Sequence, residues 1–356
     1  MTASSILSGN FPSVGTVAGQ EVTLHYGNIA AEYNALRSGA MLVDRSARGR
    51  MRFSGAKAAE MITGLVTNDV QALKPGEGLY AAALTPKGKI VADVRILARD
   101  GELFVDVPPR AFAGWQAMIK KYINPQLVPS EDVSASFRAI GVFGATSRRI
   151  LATLSAVPAD TLAALAPYAH ARADVQGETV GIMRSPELEL EGYEIFVPST
   201  VFGHVWQRLI GLGATAAGLH AWEIARIEAG HPEWGVDMDD TTIPQEANFD
   251  ALRAISYTKG CYVGQEVVAR VHFRGHVNKH LRGLMAGKSE PAPEGAAVIA
   301  VSGEQIGEVK SSALSPRLGA VALGMIRREV ETGTDVTLQW DGGKVSAKIA
   351  ALPLPL

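Results

Sequence analysis

Cysteine is the scarcest residue in this chain, with a single copy, Cys261, among 356 residues. One cysteine cannot form a disulfide within the chain, which fits a reducing compartment, and we expect a cytoplasmic protein. It also cannot supply the roughly four thiolates that an iron–sulfur cluster usually takes. Any such cluster would have to be shared with another chain or with a small thiol.

Long apolar runs and an excess of positive charge are also missing. No run approaches the roughly 20 residues of a membrane span, so we expect no membrane partner. The opening residues lack the basic and apolar regions of a secretory signal. The net charge of -2 argues against a constitutive nucleic-acid binder, which is usually basic. Phosphate-cradling glycine loops, Ser–His–Asp signatures and CxxC motifs are not found.

The residues that are present predict a multidomain α+β protein. Two blocks of similar strand-and-helix composition, residues 1–136 and 137–245, suggest two related α+β modules. A tail of short alternating runs with regular turns, residues 281–356, predicts an all-β barrel. Residues 246–280 are interpreted as a linker.

Cys261 has an unusual setting, in "KGCYVGQE" (259–266). Lone cysteines are mostly small buried hydrophobes, and that interpretation stays open. However, Gly260 and Gly264 permit positive φ on both sides, and the cation of Lys259 beside the sulfur would favour the thiolate. The following "EVVARVHF" alternates as a strand does. The pattern therefore favours a displayed, reactive thiol at Cys261, with Lys259 as its partner.

The segment around residues 270–282 is rich in histidine and in positive charge. Its histidines, spaced by four, do not form a zinc motif if the segment is a strand, so we predict no metal site. The segment is either a solvated strand face or an anion-facing patch for an acidic or RNA partner. The residues concerned are His272, His276 and His280, and Arg270, Arg274, Lys279 and Arg282.

Two carboxylates, Asp93 and Glu194, lie in apolar strand patterns, "IVADVRIL" and "GYEIFVP". Each could simply face solvent. If either points inward, it must be paired or must bind a ligand. A buried carboxylate suits a pterin-like ring, whose adjacent N–H and amino donors it can accept together. Arg226 could neutralise such a carboxylate or bind an acidic ligand.

Several motifs of the chain resemble those of a known family. The octapeptide 259–266, preceded by "IPQE" (243–246), resembles the signature of the YgfZ-type folate-binding proteins, which share a superfamily with the glycine-cleavage T-protein, an aminomethyltransferase. Further landmarks in the same order are "LVDRSARG", "GLVTNDVQALKPGEG", "RIEAGHPEWGVDM" and "IGEVKSSALSP". The resemblance covers nearly the whole chain. It implies two α+β modules and a C-terminal β-barrel around a central folate cleft.

The resemblance also implies site residues. Glu194, beside Tyr193, would contact the pterin of tetrahydrofolate or a derivative. Asp93 would be the aspartate that orients or deprotonates the reacting amine. The remaining cofactor-binding positions that it implies are Arg226, Asn68, Asp69 and Tyr80.

Function follows from the branch of the superfamily. YgfZ-type proteins are associated with synthesis or repair of iron–sulfur clusters in other enzymes, including tRNA-modifying ones. T-proteins carry paired Gly-Gly and Asp-Asp where this chain has Gly88-Lys89 and Ala92-Asp93. We therefore expect a tetrahydrofolate-binding accessory factor without classical turnover, whose partners are iron–sulfur client or assembly proteins. The alternative is a folate-dependent aminomethyl or one-carbon transferase.

Overall fold

The computed structural model describes residues 12–355. It is a mixed α/β protein with two sheet-and-helix modules and a closed barrel. The described part of the chain begins with a hairpin of β1 (Ser13–Val17) and β2 (Gln20–His25). Among the described residues, no helix is long and apolar enough to cross a membrane.

The first module is a five-stranded antiparallel sheet backed by two helices. Its order is β5-β6-β7-β4-β8, and the turns at residues 85–89 and 100–101 close the predicted hairpins. One sheet face packs on the helices around Phe53 and Trp115, both fully buried. The elements are β4 (Gly49–Ser54), α2 (Ala58–Thr63), β5 (Gly78–Leu84), β6 (Ile90–Arg99), β7 (Glu102–Val107), α3 (Phe112–Tyr122) and β8 (Ser130–Asp132).

The second module is a six-stranded sheet in the order β10-β11-β12-β9-β3-β13. It takes one strand, β3, from the first 136 residues, and β3 pairs antiparallel with β9 and parallel with β13. Helix α1 ends where Gly39 caps it, as the sequence predicts. The elements are α1 (Ile29–Ser38), β3 (Met41–Asp44), β9 (Phe137–Phe143), α4 (Ser147–Ser155), α5 (Ala159–Ala163), β10 (His170–Val175), β11 (Glu178–Arg184), β12 (Gly192–Pro198), α6 (Phe202–Gly211), β13 (Thr215–Ala217) and α7 (Leu219–Ala229).

The C-terminal part is a closed six-stranded barrel, as the alternating tail predicts. Buried Val298, Leu338 and Ile349 belong to its core. The strands are β14 (Lys279–Gly287), β15 (Ala297–Ala300), β16 (Gln305–Ser315), β17 (Gly319–Arg327), β18 (Asp335–Trp340) and β19 (Gly343–Ala350).

Two buried carboxylates attach the barrel to α7 and the loop after it. Glu228 accepts hydrogen bonds from Tyr33 Oη at 2.6 Å and from Ser315 Oγ at 2.5 Å. Asp237 accepts from Ser311 Oγ at 2.5 Å and also binds Arg226. Each carboxylate therefore joins the barrel to residues that precede it in the chain.

The prediction of a strand after Cys261 is wrong. Residues Gln265–Arg274 form a helix, α8, which begins after Gly264 in the left-handed region at φ 82°. A Cβ at Gly264 would lie 2.6 Å from the Thr85 carbonyl oxygen, so glycine lets the octapeptide pack on the β5–β6 turn. Val267, Ala269, Val271 and Phe273 recur with period 2, but Gln, Glu, Ala and Arg favour a helix, and of the helix only Val268 is fully buried.

Candidate functional site

A cavity of about 800 Å³ opens between the N-terminal hairpin, the β3–β4 loop and the start of α7. Its volume lies in the range of about 300–1,000 Å³ that small-molecule sites usually have. None of the nine predicted site residues is part of its wall. The charged groups of the wall include Asp44, Arg45, Arg48, Arg138, Glu223 and Glu233.

Behind this wall, arginines surround a buried carboxylate, Asp106. Arg95 Nε lies 3.0 Å from Asp106 Oδ2, Arg48 Nε lies 2.5 Å from the same oxygen, and Arg50 Nε lies 3.4 Å from Oδ1. Burial alone would raise the pKa of Asp106, but Arg48, Arg95 and Arg50 outweigh it and lower the pKa to about 2. Asp106 is therefore ionised at neutral pH and fixes the arginines in place.

Glu194 lies in the same cluster and is fully buried. Arg95 donates to both of its oxygens, Nη1 to Oε1 at 2.6 Å and Nη2 to Oε2 at 2.9 Å, and Arg45 Nε lies 3.3 Å from Oε1. Glu187 accepts from Arg95 at 2.8 Å and from Arg45 at 3.1 Å. The predicted pterin contact of Glu194 stays a prediction, and both oxygens of Glu194 already accept hydrogen bonds from Arg95.

Asp93 and Tyr80 face each other across the β5–β6 pair. Tyr80 Oη donates to Asp93 Oδ2 at 2.9 Å, whereas Oδ1 is buried without a hydrogen-bond partner among the described residues. Burial, opposed by Arg48 and Tyr80 and assisted by Glu233, raises the pKa of Asp93 to about 7. Asp93 is thus a carboxyl group that can hold or release a proton near neutral pH.

An aromatic group surrounds Tyr80. Its ring centroid lies 5.9 Å from that of Tyr168, 5.6 Å from His231 and 5.3 Å from Phe249. Burial, and secondarily the charge of Asp93, raises the pKa of Tyr80 well above its usual value. Tyr80 therefore stays protonated and acts as a hydrogen-bond donor to Asp93.

Arg226 is almost fully buried on α7 and is bound within the chain. Its Nε lies 2.9 Å from Glu223 Oε2, and its Nη1 donates to Asp237. Because Glu223 lies in the cavity wall, Arg226 acts on the cavity through that residue. Arg226 therefore lies behind the cavity wall and does not itself line the cavity.

Three other predicted residues have roles in loops or in the core. Asn68 Nδ2 donates to the carbonyls of Tyr80 at 3.0 Å and Arg253 at 2.9 Å, and Asp69 Oδ1 accepts backbone N–H groups in the adjoining turn. Tyr193 Oη lies 3.2 Å from the Leu162 carbonyl. Because neighbours on a strand face opposite ways, Tyr193 belongs to the second module's core while Glu194 faces the arginines.

The octapeptide presents Cys261 at the surface, as the sequence predicts for a displayed thiol. Lys259 is directed inward, and its Nζ donates to the carbonyls of Thr63, Val66 (2.6 Å) and Asn68 (3.2 Å). Burial lowers the pKa of Lys259 to about 8, against the attraction of Asp69. The ammonium thus anchors the octapeptide to the loop 63–68, and its role as a partner of the thiol stays a prediction.

The basic segment 270–282 is a helix end followed by a barrel strand, not one continuous strand. Arg270 and Arg274 are exposed on α8, and Phe273 between them is 67% exposed. The His272 ring stacks on Tyr257 with centroids 3.6 Å apart. Within residues 12–355, no group of histidine, cysteine and acidic side chains is arranged to hold a metal ion.

Sequence reasoning missed the buried arginines, Arg45, Arg48, Arg50 and Arg95. A signal was available, because "DRSARGR" places three arginines within six residues, and Arg95 follows Asp93 by two positions on one strand face. Charges in a short strand usually face solvent, so the pattern alone does not reveal that these four are buried.

Comparison with known proteins shows the family. Residues 9–257 match the model of the GCVT N-terminal domain, and residues 279–354 match that of the glycine cleavage T-protein C-terminal barrel domain. Proteins named aminomethyltransferase from Thermosynechococcus vestitus and Rubrobacter xylanophilus are 31% and 32% identical to this chain. Each alignment covers 94% of this chain, and 89% and 88% of the relative.

The fold is also that of a solved structure. The glycine cleavage system aminomethyltransferase T from Bartonella henselae superposes with a TM-score of 0.84 at 22% identity, over 97% of this chain and 94% of that one. These findings correct the first expectation from the sequence. A role as an accessory factor for iron–sulfur proteins is wrong, because relatives matched over nearly the whole chain are named aminomethyltransferase. The chain belongs to the glycine cleavage T-protein family.

Proposed function

We propose that this chain is a folate-dependent transferase of aminomethyl or one-carbon groups, with Asp93 as its acid–base residue. The observation that carries the proposal is the state of the Asp93 carboxyl group. It is buried, its pKa is raised to about 7, and one of its oxygens has no hydrogen-bond partner within residues 12–355. A general base near the working pH is what removal of a proton from a reacting amine requires.

The residues present fit a folate in size but not in every contact, and Asp93 itself lies outside the cavity wall, close to the wall residues Arg48 and Glu233. The cavity of about 800 Å³ can take a ligand of this size, and Arg45 and Arg48 in its wall suit carboxylate or carbonyl oxygens of a ligand. Glu194 does not fit as a free acceptor for a pterin edge, because Arg95 occupies it. Tetrahydrofolate, when bound, would supply the secondary amine that accepts the one-carbon unit.

Neighbouring residues determine which oxygen of Asp93 is available and which protonation state is favoured. Tyr80 holds Oδ2 and leaves Oδ1 as the oxygen that can receive a proton. Arg48 favours the ionised carboxylate, whereas burial and Glu233 favour the protonated one. This balance keeps both forms accessible near neutral pH, so that Asp93 can take a proton and return it.

Turnover with an Asp93 variant tests the proposal. Purified protein should move a labelled one-carbon unit from an aminomethylated lipoyl carrier to tetrahydrofolate, with release of ammonia and of the carrier as its free thiol. Replacing Asp93 by Asn should lower the rate by about 10²–10⁴-fold, the usual contribution of general acid–base catalysis. Asp100→Asn, in an exposed turn of the same hairpin, should leave the rate unchanged. Equal rates for wild type and Asp93→Asn would refute the role of Asp93.

We also propose a finer position within the family. The octapeptide 259–266 and its exposed Cys261 support membership of the YgfZ-type branch, as a statement about descent and not about activity. The glycine contact between Gly264 and the β5–β6 turn gives the motif a packing role of its own. Replacement of Gly264 by Ala should therefore lower the thermal midpoint, whereas Gly260→Ala, which meets open space, should not.

We propose further that α8 and the start of β14 bind single-stranded RNA. Exposed Phe273 offers a stacking surface between Arg270 and Arg274. Proteins that bind single-stranded nucleic acids combine such an aromatic surface with positive charges. Fluorescence anisotropy with a short labelled RNA should give an affinity that falls steeply with salt. Arg274→Glu should weaken it about tenfold or more, and Arg208→Glu, on α6, should not. Binding that neither salt nor Arg274→Glu weakens would refute this surface.

A further inference from the structure

We infer that the Arg95 guanidinium occupies the position at Glu194 that the edge of a bound pterin ring would otherwise occupy. Glu194 is then the counter-ion of Arg95 and not the group that recognises a folate. The inference rests on the proposed function, since it concerns how a folate would be selected by the same cavity. It makes Arg95 a residue that determines ligand specificity.

The geometry of the Arg95–Glu194 pair carries the inference. Two parallel N–H···O contacts, of 2.6 and 2.9 Å, join the guanidinium to both carboxylate oxygens. A pterin edge would present the same pattern, two adjacent N–H donors in one plane. Both side chains have no exposed surface, so the position is already filled and dry.

The other contacts of Arg95 hold it in place. It also donates to Asp106, from Nε at 3.0 Å and from Nη2 at 2.5 Å, and to Glu187 at 2.8 Å. A ligand that displaced Arg95 from Glu194 would have to break a buried ion pair inside a connected network. The neutral N–H groups of a pterin offer Glu194 weaker hydrogen bonds than the guanidinium does.

Counting charges shows one cation in excess. Four arginines, Arg45, Arg48, Arg50 and Arg95, directly contact three carboxylates, those of Asp106, Glu187 and Glu194. Without Arg95, three arginines would face three carboxylates. Removal of Arg95 therefore leaves a balanced set, and among the four arginines it is the one that contacts all three carboxylates.

Recognition of a folate would then depend on the residues of the cavity wall. Arg45, stacked 3.8 Å over Trp222, and Arg48 line the cavity and donate hydrogen bonds. These two arginines suit acceptors of a ligand, such as carboxylate or carbonyl oxygens, whereas Asp44, Glu223 and Glu233 in the wall would accept from its donors. Because Arg95 already binds both oxygens of Glu194, the 2-amino group of a folate gains no hydrogen bond from Glu194 and should contribute little to the affinity.

Titration calorimetry on the wild-type protein tests this directly. The two ligands are tetrahydrofolate and an analogue in which a methyl group replaces the 2-amino group. The affinities should agree within about threefold. An analogue weaker by about tenfold or more, the loss typical of a hydrogen bond to a charged group, would overturn the inference alone. Binding of neither ligand would overturn both the inference and the proposed function.

A variant provides the reverse experiment. Arg95→Met should free Glu194 while leaving the cluster balanced, so the preference for the 2-amino compound should rise to about tenfold or more. Arg99→Met, near the end of the same strand, should keep the wild-type ratio, because Arg99 pairs with Glu102 outside the cluster. An unchanged ratio in folded Arg95→Met would overturn the inference. If that variant does not fold, the wild-type comparison decides.

Discussion

At the scale of single residues, the central feature is a carboxyl group whose proton affinity depends on folding. Asp93 was predicted from an apolar strand pattern together with a family resemblance, and the structure places it beside Tyr80 with one oxygen free. The arginines could not be predicted in the same way. Their burial depends on Asp106, Glu187 and Glu194, which come from three different strands or loops. A local sequence pattern does not show which residues from distant parts of the chain pack together.

The raised pKa of Asp93 predicts a pH-dependent difference in stability. The folded chain binds this proton more tightly than the unfolded chain, where the carboxyl has its ordinary pKa of 3.8. The protonated form therefore stabilises the fold at low pH, and that contribution is lost as the pH rises from about 4 to about 7. The unfolding free energy of wild type, relative to Asp93→Asn, should fall by a few kcal/mol over this range, at about 1.4 kcal/mol per pKa unit.

Urea unfolding of both proteins from pH 4.5 to pH 8 measures this difference. Subtracting the Asp93→Asn curve removes the contributions of the other titrating groups, because both proteins share them. A difference that stays constant across the range, or that rises with pH, would mean that Asp93 is not a buried acid of raised pKa.

At the scale of elements, α8 and the octapeptide before it show the limits of a local pattern. Apolar residues at positions 267, 269, 271 and 273 indicate a strand by their alternation, yet the segment is a helix with one fully buried residue. The loop 259–264 was predicted to display its thiol, and Cys261 is exposed. That Lys259 turns inward depends on carbonyls almost 200 residues earlier in the chain, which no local reading reveals.

Removing the Lys259 ammonium should loosen the octapeptide. Lys259→Met leaves the carbonyls of Thr63, Val66 and Asn68 without this donor, so the unfolding free energy should drop by about 1–3 kcal/mol. Lys57→Met, at an exposed i,i+3 pair, should change it by less than about 0.5 kcal/mol. Chemical denaturation measures both, and equal stabilities of the two variants would contradict the anchoring role.

At the scale of the whole molecule, composition and patterning predicted two α+β modules and a terminal barrel, and the fold has this architecture. Strand β3 was beyond such reasoning, since it precedes the first sheet in sequence but belongs to the second. This crossing places the β3–β4 loop, with Arg45 and Arg48, between the two modules. The cavity and the buried cluster meet at that loop.

The proposed transferase activity is the alternative function that the sequence indicates, after an accessory role for iron–sulfur proteins. The departures at Gly88-Lys89 and Ala92-Asp93 favoured an accessory factor, but the relatives matched over 94% of the chain are named aminomethyltransferase. Where the resemblance implies paired aspartates, this chain has the fully buried Ala92, while one oxygen of Asp93 has no hydrogen-bond partner in the part of the chain that the structure describes. A single carboxyl group is sufficient for one proton transfer.

The pH dependence of one-carbon transfer to tetrahydrofolate tests the central claim most directly. In single-turnover reactions at saturating carrier, the wild-type rate constant should rise with pH through an apparent pKa of about 7, as Asp93 becomes the ionised base. Asp93→Asn should be slower by about 10²-fold or more and should lose this rise. A wild-type rate that does not depend on pH between 5.5 and 8.5, or full activity of Asp93→Asn, would contradict the account.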